Sequence, residues 1–174
     1  MANPTMTLIA SNTVGAGGVS SVTFSSIPST YTDLVIKYSV RDTTAQVYGD
    51  LAVRFNGDSG ANYPWKFLRG NGSAASSQAG SANTYAYTGS GTGNSSTANT
   101  FANGELYIPN YTSSNYKSVS TDNVGENNAT LDYTELGASI WNSTAAISSI
   151  TFYLNSAVSI MQYSTFYLYG IKNS

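Results

Sequence analysis

The chain contains neither cysteine nor histidine. Without thiols there is no disulfide framework and no cysteine chemistry, so the redox compartment leaves no mark on the sequence. Without imidazole the chain lacks the usual general base near neutral pH and the commonest metal ligand. Charge is scarce too: 9% of residues are Asp, Glu, Lys or Arg, where ordinary soluble domains carry about 25%. With a net charge of −2 there is no basic footprint for nucleic acid. No apolar run is long enough to cross a membrane as a helix. The opening MANPTMTLIAS lacks a basic region followed by an apolar block, so it does not read as a secretory signal.

Ser, Thr, Asn, Gly and Tyr fill the space that charge leaves. No charged residue precedes Asp33, and none lies between Arg69 and Glu105 or between Glu135 and Lys172. A neutral surface of this kind suits proteins held in assemblies or outside cells better than a cytosolic enzyme. At 174 residues the chain is read as a single domain, 1–174, large enough to bury a core without staples.

Period-two alternation is the dominant pattern. Leu34, Ile36, Tyr38 and Val40 fall on one face of a strand over 32–42, with Val35, Lys37, Ser39 and Arg41 on the other. Leu51, Val53 and Phe55 alternate likewise in the next strand, and two amphipathic strands so close in sequence are expected to pair. Near the end, Ile150, Phe152 and Leu154, then Phe166 and Leu168, mark two more core faces. Met6–Ser11 and Val19–Ile27 read as an opening hairpin around Gly15, Gly17 and Gly18, or as an arm over 1–20 lying on a neighbouring subunit. Residues 71–103 have almost no aliphatic side chains and read as a long Gly/Ser/Thr/Asn-rich loop, with a short strand at 82–88 inside it. No window has helical period. About ten strands at hairpin-like spacing predict an all-β, antiparallel, jelly-roll-like β-sandwich.

Few residues point to chemistry. A glycosidase needs two carboxylates flanking one cleft; Asp132 and Glu135 could converge with other acids, but most of the acids here sit at strand ends or turns, where they solvate loops. Asn56, Asp58 and Asn62 around Gly57 and Gly60 resemble a loose calcium loop, but no bidentate Glu follows at the required distance, and an Asn-Gly turn with an Asx hydrogen bond is the favoured reading. There is no phosphate-binding GxxxxGK[ST], and the GSGTG at 89–93 lies in a low-complexity run without the preceding buried strand a dinucleotide site needs. The sequons at Asn128 and Asn142 are expected by chance in so Asn- and Thr-rich a chain. No cofactor is implied.

The 14 tyrosines are the most suggestive feature, because tyrosine joins a large contact area to a polar tip. Tyr153, Tyr167 and Tyr169 lie opposite the core residues of the last two strands and are candidate subunit-interface residues. Tyr63, Trp65, Tyr85 and Tyr87 are candidates for stacking on a sugar ring; the alternative for Trp65 and Trp141 is a place in the core.

Four segments taken together carry a resemblance: F-x-x-I-P-x-x-Y-x-D-L from Phe24 to Leu34, RFNGDSGANY from Arg54 to Tyr63, WNST from Trp141 to Thr144, and FYLYGIK from Phe166 to Lys172. As a set they resemble small virion proteins of tailed bacteriophages, over nearly the whole chain and least in 71–103. The resemblance implies a non-enzymatic structural protein on the outer surface of the capsid or on the tail. A decoration, or cement, protein bridging major capsid protein subunits is the first expectation, with a homotrimer as its assembly. A tail-fibre or receptor-binding module reading a host cell-surface glycan is the second.

Overall fold

The computed structural model describes residues 5–128 and 132–172. Met1–Pro4 of the expected arm, Leu131, where the sequence predicts the start of a long strand over 131–141 with a bend at Gly137, and the rest of the sequon that starts at Asn128 lie outside these residues. The described chain is all-β and antiparallel, without a helix. Its strands are β1 (Met6–Thr13), β2 (Ser21–Phe24), β3 (Asp33–Val40), β4 (Tyr48–Phe55), β5 (Trp65–Gly70), β6 (Ala75–Gly80), β7 (Ala86–Thr92), β8 (Ala102–Ile108), β9 (Lys117–Glu126), β10 (Asp132–Trp141), β11 (Ile150–Leu154) and β12 (Thr165–Ile171). They form two packed sheets, one of eight strands in the order β1-β12-β3-β8-β9-β10-β5-β6 and one of four in the order β2-β11-β4-β7.

The alternating strands supply the core. Leu34, Ile36, Tyr38 and Val40 of β3, Leu106 and Ile108 of β8, and Phe166 and Leu168 of β12 point inward from the large sheet. Leu51, Val53 and Phe55 of β4 and Ile150, Phe152 and Leu154 of β11 meet them from the small sheet. Tyr38, Phe152 and Phe166 form an aromatic centre with ring centroids 5.1–6.3 Å apart.

Two expected pairings are absent: β3 and β4 lie in different sheets, as do β1 and β2. A strand with one apolar face is satisfied equally by a neighbour in its own sheet or by a strand facing it across the core. Here the chain crosses between sheets. From Met6 onward the expected arm is an edge strand: β1 pairs with β12 through a register shift between Leu8 and Ala10, and Ile9 and Ala10 pack on the core.

The segment 71–103 is not one loop. It holds β6, the turn that follows, β7 and the approach to β8. β7, AYTGSGT, is buried at every position. It forms the edge of the small sheet and packs on β9 and β10. Glycine permits that approach: Gly89 has φ +113, and a Cβ there would lie 2.5 Å from Cβ of Asn123. Hydrogen bonds take the place of apolar contacts. Asn123 accepts from the Ser90 N–H (3.1 Å) and donates to the Ser90 and Asn103 carbonyls (3.1 Å each), while Thr88 donates to the Leu51 carbonyl (2.9 Å).

The RFNGDSGANY segment is a structural corner. Asn56 and Gly57 both take positive φ, and the Asp58 N–H closes the turn on the Phe55 carbonyl at 2.9 Å. The Asn56 side chain accepts from the backbone N–H groups of Ser148 and Ser149, which ties the turn to the loop before β11. The Asp58 carboxylate accepts from Gly60 N–H (2.8 Å), Asn62 Nδ2 (3.0 Å) and Trp141 Nε1 (2.7 Å). Burial works against its charge, but these three donors outweigh burial and hold the carboxyl below its ordinary range. Protein donors thus take the oxygens that a calcium reading assigns to a cation.

Candidate functional site

Two surfaces stand out. The first is the outer face of the large sheet. One row of side chains crosses all eight strands: Leu8, Tyr169, Val35, Tyr107, Ser120, Ala138, Lys66 and Ala79. The adjacent row runs Tyr167, Lys37, Glu105, Asp122, Leu136, Leu68 and Ser77. Leu68 and Leu136 face each other there, 60% and 57% exposed, with Val124 and Ile140 also exposed on the same face. Lys37 and Glu105 neutralise one another in a surface ion pair. Beside these rows a groove of about 760 Å³ is lined by Trp65, Tyr107, Pro109, Ala138 and Ile140 among others. β6 closes the sheet with six residues free of charge and proline, most of them exposed.

The second surface is a cleft. Because β7 packs on β9 and β10, β5 and β6 continue past the edge of the small sheet as a shelf. Trp65, Phe67, Arg69 and Gln78 line the cleft from the shelf, and Tyr48, Asp50, Tyr85 and Tyr87 line it from the small-sheet side, around about 180 Å³. Phe67 stacks on Tyr87 (4.7 Å) and on Trp65 (5.6 Å), and Trp65 also meets Tyr87 (5.6 Å). At one end the Arg69 guanidinium is ion-paired with the buried Glu135 and lies 4.9–5.2 Å from the ring centroids of Tyr48, Phe67 and Tyr133. Tyr87 donates to Glu135 at 3.0 Å, and Ser90 Oγ donates to the same carboxylate at 3.1–3.2 Å. Burial works against the Arg69 charge, yet Tyr87 and Glu135 outweigh it and hold the guanidinium protonated. Burial also pushes the Tyr87 hydroxyl well above its ordinary value.

Asp50 differs from these groups. Its carboxylate has no hydrogen bond or ion pair among the described residues. Burial pushes its pKa up, Arg69 pulls it down, and Glu135 adds to the rise. Trp65 Nε1, on the same cleft, is buried without a partner among the described residues.

The structure brings Trp65, Tyr85 and Tyr87 to one cleft and leaves Tyr63 out. Tyr63 is fully buried, with its ring against Phe55 and its hydroxyl bound at the Asp58 carbonyl (3.1 Å), so it offers no stacking face. Trp141 is a core residue under the Asp58 corner. Tyr153 stands on the outer face of the small sheet, under Arg54 (4.7 Å) and beside Tyr85, whereas Tyr167 and Tyr169 stand on the outer face of the large sheet; the three do not share a surface. Tyr48, Asp50, Arg69 and Gln78 did not stand out in the sequence. The trace they leave is the isolated Arg69 at the end of a β-strand before a long charge-free run. Comparisons with protein-family models, with curated proteins and with solved structures found no match to this chain.

Proposed function

We propose that this chain is a non-enzymatic structural protein of a tailed-phage particle, a decoration protein that bridges coat subunits through the outer face of its large sheet. The observation that carries the reading is that face: eight strands wide, with Leu8, Leu68, Val124, Leu136 and Ile140 exposed on it alongside Lys37, Glu105, Asp122 and Lys66. Paired exposed leucines such as Leu68 and Leu136, with Ile140 and Val124 on the same face, are the kind of apolar patch that marks a protein-protein contact. The strand order supports reading the sandwich as a jelly roll, an architecture used by capsid and lectin domains. In that reading β2-β11-β4-β7 is one sheet and β3, β8, β5 and β6 frame the other, with the β9–β10 hairpin inserted and β12 and β1 added beside β3. A protein that binds only the mature lattice stabilises it by mass action, without chemistry.

Leu136→Lys tests the reading. The side chain is exposed, so the fold is expected to tolerate the change, while a lysine set against a coat surface loses apolar contact and desolvates a charge. Occupancy on particles at limiting protein is expected to fall at least tenfold with an unchanged melting temperature. Full occupancy would remove this face from the interface.

The receptor-binding reading draws on a different observation, the aromatic cleft between the β5–β6 shelf and the small sheet.

A further inference from the structure

We propose that the cleft is a binding site for a single neutral sugar ring, held by Asp50 and stacked between aromatic side chains. This rests on the receptor-binding reading and names its ligand class and residues; it does not depend on where a particle carries the chain.

The cleft has the composition of a small-ligand site: concave, walled by aromatic rings, with a few converging polar groups. The carboxylate carries the argument. Asp50 lines the cleft, and its carboxylate oxygens, open to that space, have no protein donor among the described residues. Glu135, its neighbour in charge, is fully engaged by Arg69, Tyr87 and Ser90. Asp50 therefore faces the cleft as an acceptor that awaits donors from outside.

The other polar groups narrow the ligand. Arg69 and the exposed Gln78 bring N–H donors to the same space, and the contact of Arg69 Nη1 with the Tyr48 hydroxyl is a long 3.5 Å, which leaves that nitrogen capacity for a ligand. A ligand cation would meet Arg69 already lying on the Tyr48 and Phe67 rings. A phosphate would meet Asp50 and Glu135. A polyhydroxyl ring satisfies both kinds of group: adjacent hydroxyls donate to Asp50 and accept from Arg69 or Gln78, while C–H faces lie on Trp65 and Tyr85. The volume of about 180 Å³ suits one ring rather than an extended chain.

The test uses the full chain and its tryptophan fluorescence. Only Trp65 and Trp141 report, and Trp141 is buried away from the cleft. Methyl glycosides of glucose, galactose, mannose, fucose and N-acetylglucosamine are titrated, with tetramethylammonium and inorganic phosphate alongside. At least one glycoside is expected to give saturable binding in the millimolar range. Asp50→Asn and Tyr85→Ala should each weaken it roughly tenfold or more at unchanged circular dichroism, as should Gln78→Ala to a smaller degree. Leu136→Lys, on the outer face, should leave it unchanged. No binding by any glycoside, binding that Asp50→Asn does not move, or binding of tetramethylammonium or phosphate in place of sugar would each overturn the assignment. Sugar binding absent with particle occupancy intact removes this site and leaves the decoration reading standing; the converse removes decoration alone.

Discussion

At the scale of single residues, the chain places several of its few charges where they are nearly dry. Arg41 is buried and donates to the carbonyls of Ser96, Thr97 and Thr100, fastening the segment after β7. Lys117 is buried and donates to the carbonyls of Ser113 and Asn115, and burial lowers its pKa. Asp50 carries a testable consequence. Its pKa is raised by burial, so the native state holds the proton more tightly than the unfolded chain does. Its contribution to stability is fully present below the ordinary carboxyl pKa of about 4 and is lost as pH rises through the raised value. Asp50→Asn removes that loss. The melting temperature of the variant, relative to the natural chain, is therefore expected to climb between acid and neutral pH; a flat or falling difference would contradict it.

At the scale of elements, β7 shows what sequence patterns convey and where they stop. Its Gly89 combines φ +113 with a space that the Asn123 side chain fills. Gly89→Ala is expected to cost about 3 kcal/mol, from backbone strain together with overpacking. Thermal or denaturant unfolding measures this, and an unchanged midpoint would mean that β7 does not pack as closely as described. The inward faces of β3, β4, β11 and β12 were legible because their burial is hydrophobic, and hydrophobic burial alternates in plain view. Pairing was not: the alternation of Leu34, Ile36 and Tyr38 against Leu51, Val53 and Phe55 is the same whether the strands lie side by side or face to face. β7 was illegible for a different reason. Thr88 and Ser90 are buried on hydrogen bonds and close backbone approach, so composition alone makes them resemble a linker. The cleft was half legible. Trp65, Tyr85 and Tyr87 drew notice as aromatic residues, while Asp50, Arg69 and Gln78 gain meaning only once β5 and β6 overhang the small sheet.

At the scale of the whole molecule, two surfaces with different chemistry lie on opposite sides of the β5–β6 shelf. The outer side is broad and mixes exposed Leu68, Leu136 and Ile140 with Lys37, Glu105, Asp122 and Lys66; the inner side is small, aromatic and polar. The RFNGDSGANY and WNST segments meet at one corner, where Asp58 joins Asn62 to Trp141, and they specify the fold rather than a site. The proposed role is therefore tested on the particle. The most direct measurement is the copy number of this chain in purified virions, by quantitative mass spectrometry against the major coat protein. A decoration protein predicts a fixed ratio near that of the coat lattice. Absence from the particle, or a ratio matching only a tail component, would contradict the account.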